Sequence, residues 1–73
     1  MTRTEMHKRM RAAGNMLWMA RHTLDKLYNE LRDDDNPEIT LDDVYTVEEL
    51  MNAADAAKTK LDRHIVVTTN ARA

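Results

Sequence analysis

The chain has 73 residues and a formal net charge of −2 at pH 7, enough for one small domain covering residues 1–73. It contains no cysteine and no serine, which excludes disulfides, thiolate metal sites and a serine nucleophile. No apolar run approaches the roughly 18 residues needed to cross a membrane, and the polar N-terminal stretch does not resemble a signal peptide. We therefore expect a cytoplasmic protein that does not bind membranes.

The first predicted element is a long amphipathic helix over about residues 3–32. Thr2 fits its N-cap position and Glu5 follows three residues later, which is the pattern of a capping box. Apolar residues then recur in alternating steps of four and three, a heptad pattern that predicts a continuous apolar stripe. Its members are Met6, Met10, Ala13, Leu17, Ala20, Leu24, Leu27 and Leu31.

An acidic turn is predicted over residues 33–45, where Asp33 opposes the helix dipole and Pro37 breaks the helix. A second, shorter helix is predicted over about 47–66, with Thr46 as its N-cap and Thr40 capping at most a short preceding turn. Its apolar stripe is Val47, Leu50, Ala54, Ala57 and Leu61. The β-branched residues that follow are poor helix formers, so we expect a frayed tail over 67–73.

These elements predict an all-α fold, an antiparallel helical hairpin of one long and one shorter helix. The longer helix would leave part of its stripe uncovered, and a core this small yields only about 3–5 kcal/mol of net stability. We therefore expect a homodimer in which two hairpins form a four-helix bundle. The seam residues of the core or dimer are Met6, Met10, Leu17, Leu24, Leu27, Leu31, Leu50 and Leu61.

Two large apolar residues, Trp18 and Met19, point away from this seam. Exposed apolar side chains of this size mark contacts, and Trp and Arg are favoured anchors of protein interfaces. The face is therefore either the dimer interface or a site for another protein. The predicted partner-binding residues are Arg11, Asn15, Trp18, Met19 and His22.

Charge is segregated along the hairpin. Lys and Arg cluster where the first helix begins and the second ends, and this basic end offers an alternative function in nucleic-acid binding or transcription modulation. Residues 33–49 hold eight acids and no Lys or Arg. A calcium loop is excluded there, because Pro37 and Val44 stand at positions that need ligands.

No catalytic residues, metal site or cofactor are predicted, and we expect a protein that is not an enzyme. The chain has three histidines, His7, His22 and His64. His7 and His22 fall on or near the polar side of the first helix. We interpret all three as hydrogen-bonding residues rather than metal ligands.

The plan of a long capped helix, an acidic turn, an alanine-rich second helix and a β-branched tail resembles small host-takeover proteins that phages express early. More narrowly, it is similar to the helical-hairpin dimers of the phage quorum-sensing anti-activator type. The resemblance covers most of the chain and is one of architecture. It implies a cytoplasmic inhibitor that binds a host LuxR-type transcription regulator and blocks its access to DNA. The type IV pilus assembly ATPase would be a second host target.

Overall fold

The computed structural model describes residues 1–70, which form two α-helices joined by a short turn. Helix α1 spans Arg3–Arg32 and helix α2 spans Leu41–Asn70. The helices lie antiparallel along their whole length, and no strand is present within residues 1–70. The all-helical hairpin predicted from the sequence is therefore confirmed.

Helix α1 begins where the capping box predicts. Thr2 has extended backbone geometry, and its Oγ1 accepts a hydrogen bond from the Glu5 N–H at 3.1 Å. This bond satisfies one of the N–H groups that the first turn of a helix leaves unpaired. The bounds of α1 coincide with those expected from its heptad pattern.

The turn between the helices is built by its own polar side chains. The Asp34 carboxylate accepts the Asn36 N–H at 2.8 Å, and the Asn36 side-chain oxygen accepts the Glu38 N–H at 2.9 Å. Such local bonds are why Asp and Asn favour turns over helices. Part of the acidic segment therefore has a direct structural role.

Helix α2 begins six residues earlier than the start expected at residue 47. The first of the two candidate caps is the one used: Thr40 Oγ1 accepts the Asp43 N–H at 3.2 Å, while Asp43 Oδ2 accepts the Thr40 N–H at 2.9 Å. Starting there places Val44 and Val47 on the buried side of α2. Burial of these two residues makes the longer helix favourable.

The expectation that the tail frays from residue 67 is wrong for residues 67–70, which are helical. Ile65 is buried, and Thr68 Oγ1 donates to the His64 carbonyl at 2.8 Å and lies 2.7 Å from His7 Nε2 of α1. Tertiary contacts therefore override the low helix propensity of the β-branched run. Residues 71–73, the rest of that predicted tail, lie outside the described part of the chain.

The two helices are equal in length, at 30 residues each, so the expected pairing of a long with a shorter helix is also wrong. No part of α1 overhangs its partner by several turns. Surface left uncovered on α1 must therefore result from the direction its stripe faces, not from excess length.

Three cross-helix pairs fix the register of the hairpin. His7 meets Thr68, Arg21 Nε meets Asp55 Oδ2 at 3.2 Å, and the position of a Cβ on Gly14 lies 3.8 Å from Asp62 Oδ1. The residue numbers of each pair add to 75 or 76, so one register holds from end to end. Apart from half-buried Ala57, the residues of α2 that are buried or half-buried in this register repeat in heptad steps: Val44, Val47, Met51, Ala54, Lys58, Leu61, Ile65 and Thr68.

The resulting molecule is a thin rod with little interior. It measures 56 × 15 × 15 Å with a radius of gyration of 16.6 Å, against about 11 Å for a compact domain of this length. Among the described residues, no large side chain is less than 2% exposed. None of the described helices is long and apolar enough to cross a membrane.

Mutation can test whether Thr40 is the N-cap of α2. Thr40→Ala removes the hydroxyl that caps the helix and should lower the free energy of unfolding by about 1 kcal/mol. Thr46→Ala, the matched control, replaces an exposed residue inside the helix and should raise it by a few tenths of a kcal/mol. Urea unfolding followed by circular dichroism, at one protein concentration, measures both. The reverse order of stabilities would place the helix start at Thr46.

Candidate functional site

The two flanks of the hairpin differ in chemistry. Gly14 is buried at the helix contact, with Met10 four residues before it and Trp18 four residues after it. Four residues turn a helix by about 40° beyond a full turn, so Met10 and Trp18 lie on opposite flanks of the contact line. One flank is apolar and the other is polar.

On the apolar flank, the two helices form an open groove. Its floor is made of Met10 and Leu17 from α1 and Ala57 and Leu61 from α2, with Lys60 and His64 at its rim. We call this surface the apolar groove. None of its apolar residues is fully buried, so the groove is apolar surface facing solvent.

Only part of the predicted seam of α1 contacts α2, and the rest of it faces solvent. Half-buried residues such as Leu24 and Leu31 contribute to the helix contact, whereas Leu27 is 40% exposed and Ala13 and Ala20 are exposed. On α2, Leu50 is 50% exposed. Each apolar stripe is wider than the contact that the two helices make with each other.

Three residues that take part in the helix contact of α1 were not predicted as core residues. His7, predicted on the polar side of α1, is only 7% exposed and is tied to Thr68. Gly14 is buried opposite Asp62, and Arg21 is half-buried between Asp55 and Asp25. Their heptad spacing from one another is the signal that could have found them, because His7, Gly14 and Arg21 recur every seven residues.

The predicted partner-binding residues Arg11, Asn15, Trp18, Met19 and His22 are all exposed on α1. Trp18 is 53% exposed, and its ring lies edge-on to the His22 ring with centroids 4.0 Å apart. This contact fixes one side of the indole and leaves the other side open. We call these five residues the Trp18 face.

The polar flank between the Trp18 face and α2 carries ion pairs. Arg21 bridges Asp25 of its own helix and Asp55 of α2, and Lys58 pairs with Asp62 at 2.6 Å. The carboxylates of these pairs are 41–56% exposed and therefore solvated, so each pair contributes little to stability. Their effect is to make this flank unsuitable for burial against an apolar surface.

Charge separates along the rod as the sequence indicates. We call the half of the rod where α1 begins and α2 ends the open end. It contains Arg3, Lys8, Arg9, Arg11, Lys58, Lys60 and Arg63, of which Lys58 lies near mid-length and pairs with Asp62. The turn end holds the eight acids of residues 33–49. The hairpin is therefore strongly polarised along its 56 Å length despite its small net charge.

Within residues 1–70, no group of three or more His, Asp or Glu side chains is arranged to hold a metal ion. No protein-family model matches the chain, and comparison with curated proteins and with solved structures finds no match. The surfaces described above are therefore the basis for any functional conclusion.

Proposed function

We propose that the protein is a non-enzymatic interaction module that acts as a homodimer and inhibits another protein by binding it through the Trp18 face. The observation that carries this proposal is the half-exposed indole in the middle of a rigid helix. The resemblance to phage anti-activators suggests the kind of target: a host LuxR-type transcription regulator, with the type IV pilus assembly ATPase as a second one.

The composition of the Trp18 face supports a protein-binding role. Trp and Arg dominate the energetically important positions of protein interfaces, and Met adapts its shape to different partners. The Trp18 ring is held by His22, so little side-chain freedom would be lost when it enters a pocket. An anchor prepared in this way is what a small inhibitor needs.

The turn end supports the choice of target. A transcription regulator presents a basic surface to DNA, and the eight acids of residues 33–49 are complementary to such a surface. Binding of the Trp18 face could thus be accompanied by occupation of the DNA-binding surface. The regulator would then lose access to its operator.

Replacing the indole tests this function. Trp18→Ala should lower affinity for a purified LuxR-type regulator by about 30-fold or more, as expected for loss of an interface anchor worth at least 2 kcal/mol. Tyr45→Ala, the matched control, removes an exposed aromatic residue from α2 and should leave affinity unchanged. Titration calorimetry measures binding, and circular dichroism verifies folding. A folded Trp18→Ala variant that binds as tightly as the original chain would exclude this face.

A second candidate function is nucleic-acid binding by the open end, favoured by the placement of seven Lys and Arg residues from both helices there. It predicts DNA affinity that falls steeply between 50 and 200 mM salt, because phosphate contacts release counterions (on the order of 10³-fold for six contacts). A mobility-shift assay at low salt tests it. Absence of a shifted band under those conditions would eliminate this candidate.

A further inference from the structure

We propose that the apolar groove is the site of self-association, and that a second copy docks in it antiparallel, with the open end of each copy over the turn end of the other. We call this two-fold antiparallel arrangement head to tail. The homodimer of the proposed function specifies neither a surface nor an orientation. Both follow from the exposed area, the shape of the groove and the charges of the rod.

The exposed area indicates how much surface is missing a partner. The chain exposes 5827 Å², whereas a compact monomer of 8.5 kDa exposes about 4,650 Å². The excess of about 1,200 Å² exceeds the ~800 Å² that each partner contributes to an interface of standard size. The excess is therefore large enough to supply an interface with a second copy.

The position of the apolar residues indicates that the second copy docks in the groove. Both helices turn apolar residues to the same flank: Met10 and Leu17 from α1, and Ala57 and Leu61 from α2. The small Ala57 leaves room for a larger side chain, and exposed Leu27 and Leu50 lie on the edges of the same stripes. Face-to-face packing of two such flanks gives the layered core of a four-helix bundle.

Charge sets the orientation of the second copy. A two-fold axis through the groove, perpendicular to the rod, places the basic open end of one hairpin opposite the acidic turn end of the other. An axis parallel to the rod would place like charges together at both ends. Since complementary potentials favour association and like charges oppose it, the head-to-tail arrangement is selected.

This arrangement has a consequence for the proposed function, and this consequence rests on that function. The Trp18 face lies on the flank away from the groove, so dimerisation leaves it accessible in both copies. The dimer would then present two equivalent binding faces on opposite sides. Trp18→Ala should therefore leave the dimer intact, which separates failure of the dimer proposal from failure of the target proposal.

Substitution of two neighbouring alanines of α2 tests whether the apolar groove is the docking surface. Ala57→Glu places a charge in the apolar groove and should weaken self-association at least 30-fold. Ala56→Glu, the matched control, adds the same charge at an exposed position next to it and should leave association unchanged. Sedimentation equilibrium measures the dissociation constant. A monomeric original chain at 100 μM, or equal effects of the two variants, would overturn the proposal.

The orientation is tested without altering the groove, which also covers the case in which Ala57→Glu fails to fold. Because the chain has no cysteine, Asp35→Cys carries a single spin label at the exposed turn end. In a head-to-tail dimer the two labels should be separated by most of the 56 Å rod. A separation of only two or three helix spacings, about 10 Å each, would show parallel docking and overturn the orientation.

The dependence of self-association on salt concentration tests the orientation independently. Raising NaCl from 50 to 500 mM shortens the screening length and should weaken a head-to-tail dimer several-fold, because its end-to-end attractions are screened. The same change would strengthen a dimer with like ends together. Association that strengthens with salt would therefore contradict the proposed arrangement.

Discussion

The structure depends on a mismatch between the apolar stripes and the contact that the helices make with each other. Two antiparallel helices bury only a narrow seam, and here that seam includes His7, Gly14 and Arg21 as well as apolar residues. The stripes extend beyond it on one flank, so apolar groups of both helices remain in water. Because burial of apolar surface is the main favourable term in folding, we propose that a second copy covers these groups.

The distribution of polar groups gives the rod a direction and two distinct flanks. Ion pairs such as Arg21–Asp55 occupy the flank away from the groove, next to Trp18. The apolar groove occupies the other flank. We therefore propose that α1 serves both self-association and binding of another protein, since the two proposed roles use residues on different sides of it.

Much of the fold was predictable because local signals and tertiary contacts agree over α1, from the Thr2–Glu5 cap to its end at Arg32. Two candidate caps preceded α2, and the choice of Thr40 depended on the burial of Val44 against α1, which local sequence does not encode. The sequence also did not indicate which face of α1 contacts α2. Four residues, Met10, Leu17, Leu24 and Leu31, belong to two possible heptad registers. Only long-range contacts such as His7–Thr68 and Arg21–Asp55 distinguish these registers.

The central claim, that the apolar flank and the Trp18 face are separate surfaces, is tested most directly by solvent paramagnetic relaxation of side-chain protons at increasing protein concentration. The account predicts that the methyl groups of Leu17, Ala57 and Leu61 become protected as the protein associates. The Trp18 indole and the Met19 methyl group should remain equally accessible throughout. Protection of Trp18 and Met19 on association, with the groove methyl groups still exposed, would contradict the account.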